Sequence, residues 1–312
     1  MPKNMPVRFT NEDAARKHLE KLQWPDGPIC PHCGVIDRAS AIKGGRNGLW
    51  FCNACRMQFT VTVGTIFERS KIPLHTWLYA NHLLCSSKKG ISSHQLSRML
   101  GVTYKTAWFM SHRIREAMRP LKTDPLGGNG KIVEIDETYI GGKERNKHRS
   151  ERSKVAGNWR TRATKEIAFA LVERGGQVRS HHVPSVSAKN LRPILREQID
   201  AATAVMSDTS GLELRWDFAR HETVNHSIGE YVRGDAHTNT IEGYFSILKR
   251  GINGVYHHVS PQHLKRYLAE FDFRYNERSS LGITDDMRAE TALMNARGKR
   301  LTYGSADKIR AI

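Results

Sequence analysis

The 312-residue sequence predicts a multidomain α+β protein, and three observations carry that expectation. Residues 24–66 are rich in Gly, Cys and aromatics, with strand-like runs at 49–52 and 58–63. Residues 73–119 read as helices separated by Gly90 and Gly101. From 131 onward, strand-like runs at 131–140, 166–173, 177–183 and 203–207 interleave with helical patterns at 188–200, 238–250 and 261–277. That alternation is the mark of a mixed α/β domain.

The segments follow in chain order. Residues 1–23 hold a short helix over 11–22, with Asn11-Glu12-Asp13 as its acidic start and Leu19 and Leu22 as its apolar stripe. A cysteine-bearing module spans 24–66 and a helical segment 67–122. The stretch 123–130, Thr-Asp-Pro-Leu-Gly-Gly-Asn-Gly, is a linker by composition. The α/β domain covers 131–282, and 283–312 reads as a basic tail.

Composition narrows the function classes. Lysine and arginine total 49 against 31 acids, a net charge of +18. Such an excess points to a polyanionic partner. No stretch approaches the roughly 20 apolar residues that span a bilayer, so nucleic acid leads over a membrane. The N-terminus lacks the apolar core of a secretory signal, and the expected location is the cytoplasm, on the nucleoid. Five cysteines, four of them in tight pairs, do not make a disulfide framework. A secreted disulfide scaffold, a membrane protein and a disordered tail protein are excluded.

The pairs are Cys30-Pro31-His32-Cys33 and Cys52-Asn53-Ala54-Cys55, with 18 residues between them (34–51). Two residues between cysteines let one turn aim two thiolates at one ion, and two such turns complete a tetrahedron. Gly34 supplies permissive backbone after the first pair, and Arg56 a cation after the second. A closed set of four thiolates implies structural Zn²⁺ in a zinc ribbon. Four packing thiols or a redox pair are the alternatives, and two matched pairs disfavour both. Cys85, in an apolar helix, reads as a core thiol.

Within 73–119, Leu74, Trp77, Leu78, Leu83 and Leu84 mark one amphipathic helix. A short helix near 92–100, the turn Gly101-Val102-Thr103 and a longer basic helix from Tyr104 to Met118 make a helix-turn-helix pattern. In that last helix Lys105, His112, Arg113 and Arg115 are polar, while Ala107, Trp108, Ile114 and Met118 suit an inward face. Such a helix enters the major groove, so Lys105, Arg113 and Arg115 are the expected DNA contacts. A plain bundle with a solvated basic face is the competing reading.

The acidic residues come next. In 131–143 Val133 and Ile135 alternate with Glu134 and Asp136, as on a strand. Aspartate is depleted in strands, so Asp136 needs a reason, and metal binding is one. Asp208 ends the apolar run Ala204-Val205-Met206-Ser207, and strand ends in α/β sheets gather ligand-binding residues. In 237–250, Ile241, Tyr244, Phe245 and Leu248 form a buried stripe, while Asn239, Glu242, Ser246 and Lys249 share a neighbouring face. Two aspartates and a glutamate suit Mg²⁺, with Mn²⁺ as a substitute. Equally open from the residues alone, Asp136 is a turn residue, Asp208 a cap and Glu242 half of an exposed pair.

The order of these parts resembles insertion-sequence transposases with a DDE-type catalytic domain, and within them the ISXO-type group with an N-terminal zinc ribbon. The resemblance runs from about Phe9 to Arg278. It is carried by the two Cys-x-x-Cys pairs, by 133–143 (Val-Glu-Ile-Asp-Glu-Thr-Tyr-Ile-Gly-Gly-Lys), by Asp208 and by 237–243 with Leu248-Lys249-Arg250-Gly251. Tyr256-His257-His258 and Phe273-Arg274-Tyr275-Asn276 add to it. It implies an RNase-H-like fold for 131–282, with Asp136 on the first strand and Asp208 on the fourth. It further implies Mg²⁺-dependent cutting of transposon ends and joining of the 3′-OH to target DNA. Members of the group end the triad in asparagine or glutamate. Glu242 is preferred here and Asn239 is the alternative, with Lys249 and Arg250 on DNA phosphate. Transposition joins two ends of double-stranded DNA, so a homodimer or larger assembly is expected. The rival functions are a zinc-ribbon transcription regulator, an RNase-H-like nuclease without strand transfer, and a degenerate transposase copy.

Overall fold

Asn11 opens the first helix, α1 (Glu12–Gln23), by accepting the Ala14 amide at 2.9 Å, and Ala15, Leu19 and Gln23 at four-residue spacing form its buried face. The computed structural model describes residues 5–121, 123–142, 148, 165–208, 217–225, 228–230 and 232–302. The chain divides into two units, Met1–Leu121 with Arg278–Ile312, and Lys122–Glu277.

In the first unit a three-stranded antiparallel sheet, β1 (Ala39–Ala41), β2 (Trp50–Cys52) and β3 (Gln58–Phe59), backs the cysteine module. Its core joins Cys30, Cys52 and Phe59 to Trp24 and Trp50, whose rings meet edge-on at 6.1 Å. β3 stops well short of the expected 58–63. The Val63 amide turns back to the Thr60 carbonyl and the Thr60 and Thr62 hydroxyls bond each other at 2.8 Å, the local competition by which threonine interrupts strands. Three helices follow: α2 (Leu74–Ser86), α3 (Ser93–Leu100) and α4 (Tyr104–Met118). Ser92 and Thr103 cap α3 and α4, and Gly101, at φ 66°, ends α3 in the left-handed conformation that glycine adopts at least cost.

The second unit is built on a mixed five-stranded sheet. Its strands are β4 (Ile132–Ile140), β5 (Glu166–Glu173), β6 (Val178–Val183), β7 (Ala204–Asp208) and β8 (Arg220–Val224), in the order β6-β5-β4-β7-β8. β4, β5 and β6 pair antiparallel, while β7 lies parallel to β4 and β8 parallel to β7. β8 was not expected, because Arg-His-Glu-Thr-Val lacks an apolar run and only an edge strand tolerates it. One face of the sheet packs Val133, Ile135, Phe169 and Leu171 against Leu191 and Leu195 of α5 (Ala188–Gln198). A short hairpin, β9 (Val232–Arg233) and β10 (Ala236–His237), leads into α6 (Asn239–Gly251). The other sheet face packs Ala168, Ala170 and Val172 against the α6 stripe Ile241, Tyr244, Phe245 and Leu248. Each of the buried Val, Leu, Ile and Phe side chains contributes about 1.5–3 kcal/mol.

α7 (Pro261–Asn276) covers the β6 edge. Asn276 accepts the Val178 amide at 2.7 Å and donates to the Val178 carbonyl at 3.0 Å, so one side chain imitates a neighbouring strand. The Tyr256 hydroxyl and Arg274 both donate to Glu270 at 2.5 Å. These motif residues therefore hold the unit together.

Two expected boundaries are corrected. Residues 123–130 are no free linker. Leu126 is buried and bonded to both Gln198 and Asp200, and the Gly127 and Gly128 amides donate to Glu173 and Thr203. A Cβ on Gly127 would stand 2.1 Å from Thr203 Oγ1, so glycine is there for close approach. Nor is 283–312 merely a basic tail. Its described part carries α8 (Asp285–Met294), capped by Thr284 and packed on α2 in the first unit. The signature Thr284-Asp285-Asp286 marks that start, and Asn81 of α2 donates to the Ala289 carbonyl at 2.9 Å. Among the described residues no helix is long and apolar enough to cross a membrane.

Candidate functional site

In the cysteine module both turns are built alike. The Gly34 amide returns to the Cys30 carbonyl and the Arg56 amide to the Cys52 carbonyl, each at 2.9 Å. Both residues have positive φ, 75° at Gly34 and 63° at Arg56, so the second turn uses a strained arginine where the first uses glycine. The turns bring four Sγ atoms within 4.8 Å of one another, with Cys30 to Cys55 at 3.6 Å and Cys33 to Cys52 at 3.7 Å. A tetrahedron with Zn–S bonds of about 2.3 Å has S···S edges of about 3.8 Å. The four thiols thus fit zinc in size and donor type. The Cys55 and Ala54 amides aimed at Cys52 lower its thiol to about 7, while burial and the neighbouring thiols push Cys55 up to about 12.

The carboxylates gather on the sheet of the second unit. β4 and β7 run parallel in register, Ile135 opposite Ser207, so the next residues, Asp136 and Asp208, stand at corresponding positions on adjacent strands. Adjacent strands lie about 4.8 Å apart, and this register alone brings the two side chains together. Carboxylate oxygens of Asp136, Glu137 and Asp208 all lie within 4.8 Å of one another. Burial first, and then the Asp208 carboxylate, push Asp136 up to about 7, with Glu137 and Glu242 adding to the repulsion. An oxygen-only donor set of clustered carboxylates fits a hard divalent cation.

Glu242 lies outside the 4.8 Å group, although its charge bears on Asp136 from the first turn of α6. Thr238 Oγ1 donates to Glu242 Oε1 at 3.4 Å. Asn239, Glu242, Ser246, Lys249 and Arg250 are all exposed on α6. Glu137 was not singled out in the sequence, since strand alternation assigns it to the face opposite Asp136.

The expected DNA contacts on α4 divide. Lys105 is exposed in the first turn. Arg113 and Arg115 are corrected: they are 5% and 0% exposed. Arg113 donates to the Glu68 carbonyl at 2.9 Å and stacks over Trp77 and Phe109, and Arg115 donates to Ser111 at 2.9 Å. Residues 111–118 are all buried, so the basic residues there serve packing through their apolar stems and aromatic contacts.

A ribbon with four clustered thiols is thus followed by an α/β unit with clustered carboxylates, the order of parts found in transposases with a zinc ribbon. Residues 10–58 match the transposase zinc-ribbon domain family, and residues 125–276 match the ISXO2-like transposase domain. A protein in transposable element ISH50 of Halobacterium salinarum is 30% identical over 285 residues, covering 86% of this chain and 93% of that one. The chain belongs to the ISXO2-like transposase family. The match over 125–276 also begins inside the former linker and ends with α7, in line with the second unit.

Proposed function

We propose that this protein binds the ends of its transposon, cleaves them with divalent cations and transfers the freed 3′-OH into target DNA. The observation that carries the reading is the pairing of Asp136 with Asp208 on adjacent parallel strands. The sheet order, with the first strand flanked by an antiparallel second and a parallel fourth, supports an RNase-H-like domain. Asp136 and Asp208 hold the cations, and Glu242 completes the set. It is favoured over Asn239 because its charge reaches Asp136 and a carboxylate outcompetes an amide for Mg²⁺. When bound, two such ions supply activation of the attacking oxygen and stabilisation of the departing one. Burial and the Asp208 carboxylate leave Asp136 about half-protonated near pH 7, so a divalent cation held there would compete with its proton. Lys249 and Arg250, exposed on α6, neutralise phosphate.

In the first unit α3, the Gly101 turn and α4 form the helix-turn-helix, with Lys105 at the base-reading end of α4. A homodimer or larger assembly joins the two ends. The test is strand transfer by purified protein with its element ends and Mg²⁺. Wild type cleaves and joins, while Asp208→Ala does neither. Products unchanged in the variant would exclude this site, and cleavage without joining would make the protein a nuclease.

A further inference from the structure

Glu134 is a fully buried carboxylate two residues before Asp136 and on the same face of β4. Oε2 accepts the backbone amides of Thr240 and Ile241 at 2.8 and 2.9 Å. Oε1 accepts Arg174 Nε at 2.6 Å and Thr240 Oγ1 at 2.9 Å, with His237 Nδ1 at 3.2 Å. Arg174 then donates to the carbonyls of Asp235 and His237 at 2.8 and 3.0 Å, gripping the chain that enters α6. The N-cap residue of α6, Thr238, makes no side-chain cap bond. The orphan amides of the first turn are satisfied instead by a residue 106 and 107 positions earlier.

A buried ion pair is poor evidence of a need for stability, since apolar packing serves as well. What this carboxylate adds is direction. One oxygen fixes two amides of α6 to the strand that bears Asp136, and Glu242 is the very next residue after Ile241. We propose that Glu134 is a positioning residue. It docks the amino end of α6 on β4 and so holds Glu242 within reach of a divalent cation at Asp136 and Asp208. The inference rests on the reading of that site as a cation centre.

The test is calorimetric titration of full-length, DNA-free protein with Mn²⁺, alongside thermal melts. Glu134→Asp keeps the charge facing Arg174 but is one methylene too short to hold both amides. It weakens Mn²⁺ binding about 10–100-fold, as loss of outer-shell support does. Leu195→Ala destabilises the same unit from the opposite sheet face and leaves Mn²⁺ affinity unchanged. In a Glu242→Gln background, Glu134→Asp adds little, because it acts through Glu242. Should Glu134→Asp fold poorly, Thr240→Val removes one bond to Glu134 with the charge pair intact, and a several-fold loss is expected. Wild-type affinity in both Glu134→Asp and Thr240→Val, or an equal loss in Leu195→Ala, overturns the inference while the cation site stands. Undiminished Mn²⁺ binding in Asp136→Asn sinks the cation site itself.

Discussion

Asp136 shows what one residue's surroundings do to its chemistry. An ordinary aspartate loses its proton near 3.8, whereas burial and the Asp208 carboxylate hold this one to about 7. Between those values the folded, metal-free protein binds a proton that the unfolded chain has released. Stability therefore falls as pH rises from about 4 to about 7. Asp136→Asn removes the repulsion and raises the stability of the metal-free protein at pH 8 by about 1–2 kcal/mol, while abolishing strand cleavage. Thermal melts with a chelator at pH 5 and pH 8 check this, and a variant no more stable than wild type at pH 8 contradicts it. Mn²⁺ takes the proton's place, so its binding tightens as pH rises through 7. Glu134, two residues away, is more deeply buried than Asp136 and accepts donors from Arg174, Thr240 and Ile241. Burial alone decides nothing until the donors around a carboxylate are counted.

At the scale of elements, the ribbon has little core of its own, and the expectation is that an ion at its four thiols holds it together. Three strands of two or three residues bury too little to stand alone, as small domains commonly do. Cys52→Ser, or chelation of the wild type, removes one zinc per chain and melts this module. Metal analysis gives the stoichiometry, and tryptophan fluorescence reports the loss of the Trp24–Trp50 contact. Unchanged fluorescence after complete zinc loss would show that the thiols merely pack. α4 carries a different lesson. Tyr104 and Lys105 at its start are exposed and its last two turns are buried, so of the three expected basic contacts Lys105 is the one at the surface.

For the whole molecule, a net charge of +18 makes DNA binding strongly dependent on salt. Lys105→Ala lowers the slope of log affinity against log salt by about 1, the change expected for loss of one lysine at the DNA surface. Arg115→Ala leaves the slope unchanged and lowers thermal stability, because Arg115 is fully buried and bonded to Ser111. Fluorescence anisotropy over a salt series, run on both variants, checks the pair. A reduced slope in Arg115→Ala would return that residue to the DNA surface.

Local spacing made much of this legible. Two Cys-x-x-Cys turns, the alternation through Val133 to Asp136 and the stripe Ile241, Tyr244, Phe245 and Leu248 are periods of one or two turns of chain. Backbone geometry converts such periods directly into structure. Short-range spacing was enough for the grouping of the four cysteines, most of the strands and helices, and the family. Long-range packing was needed to show that Glu137 joins Asp136 and Asp208, that Arg113 and Arg115 are buried, that 123–130 packs against Glu173 and Thr203, and that α8 returns to α2. The physical reason is distance along the chain. Strand register and helix docking join residues tens to hundreds of positions apart, and the charge, burial and hydrogen bonds of a side chain belong to whatever that joining brings beside it.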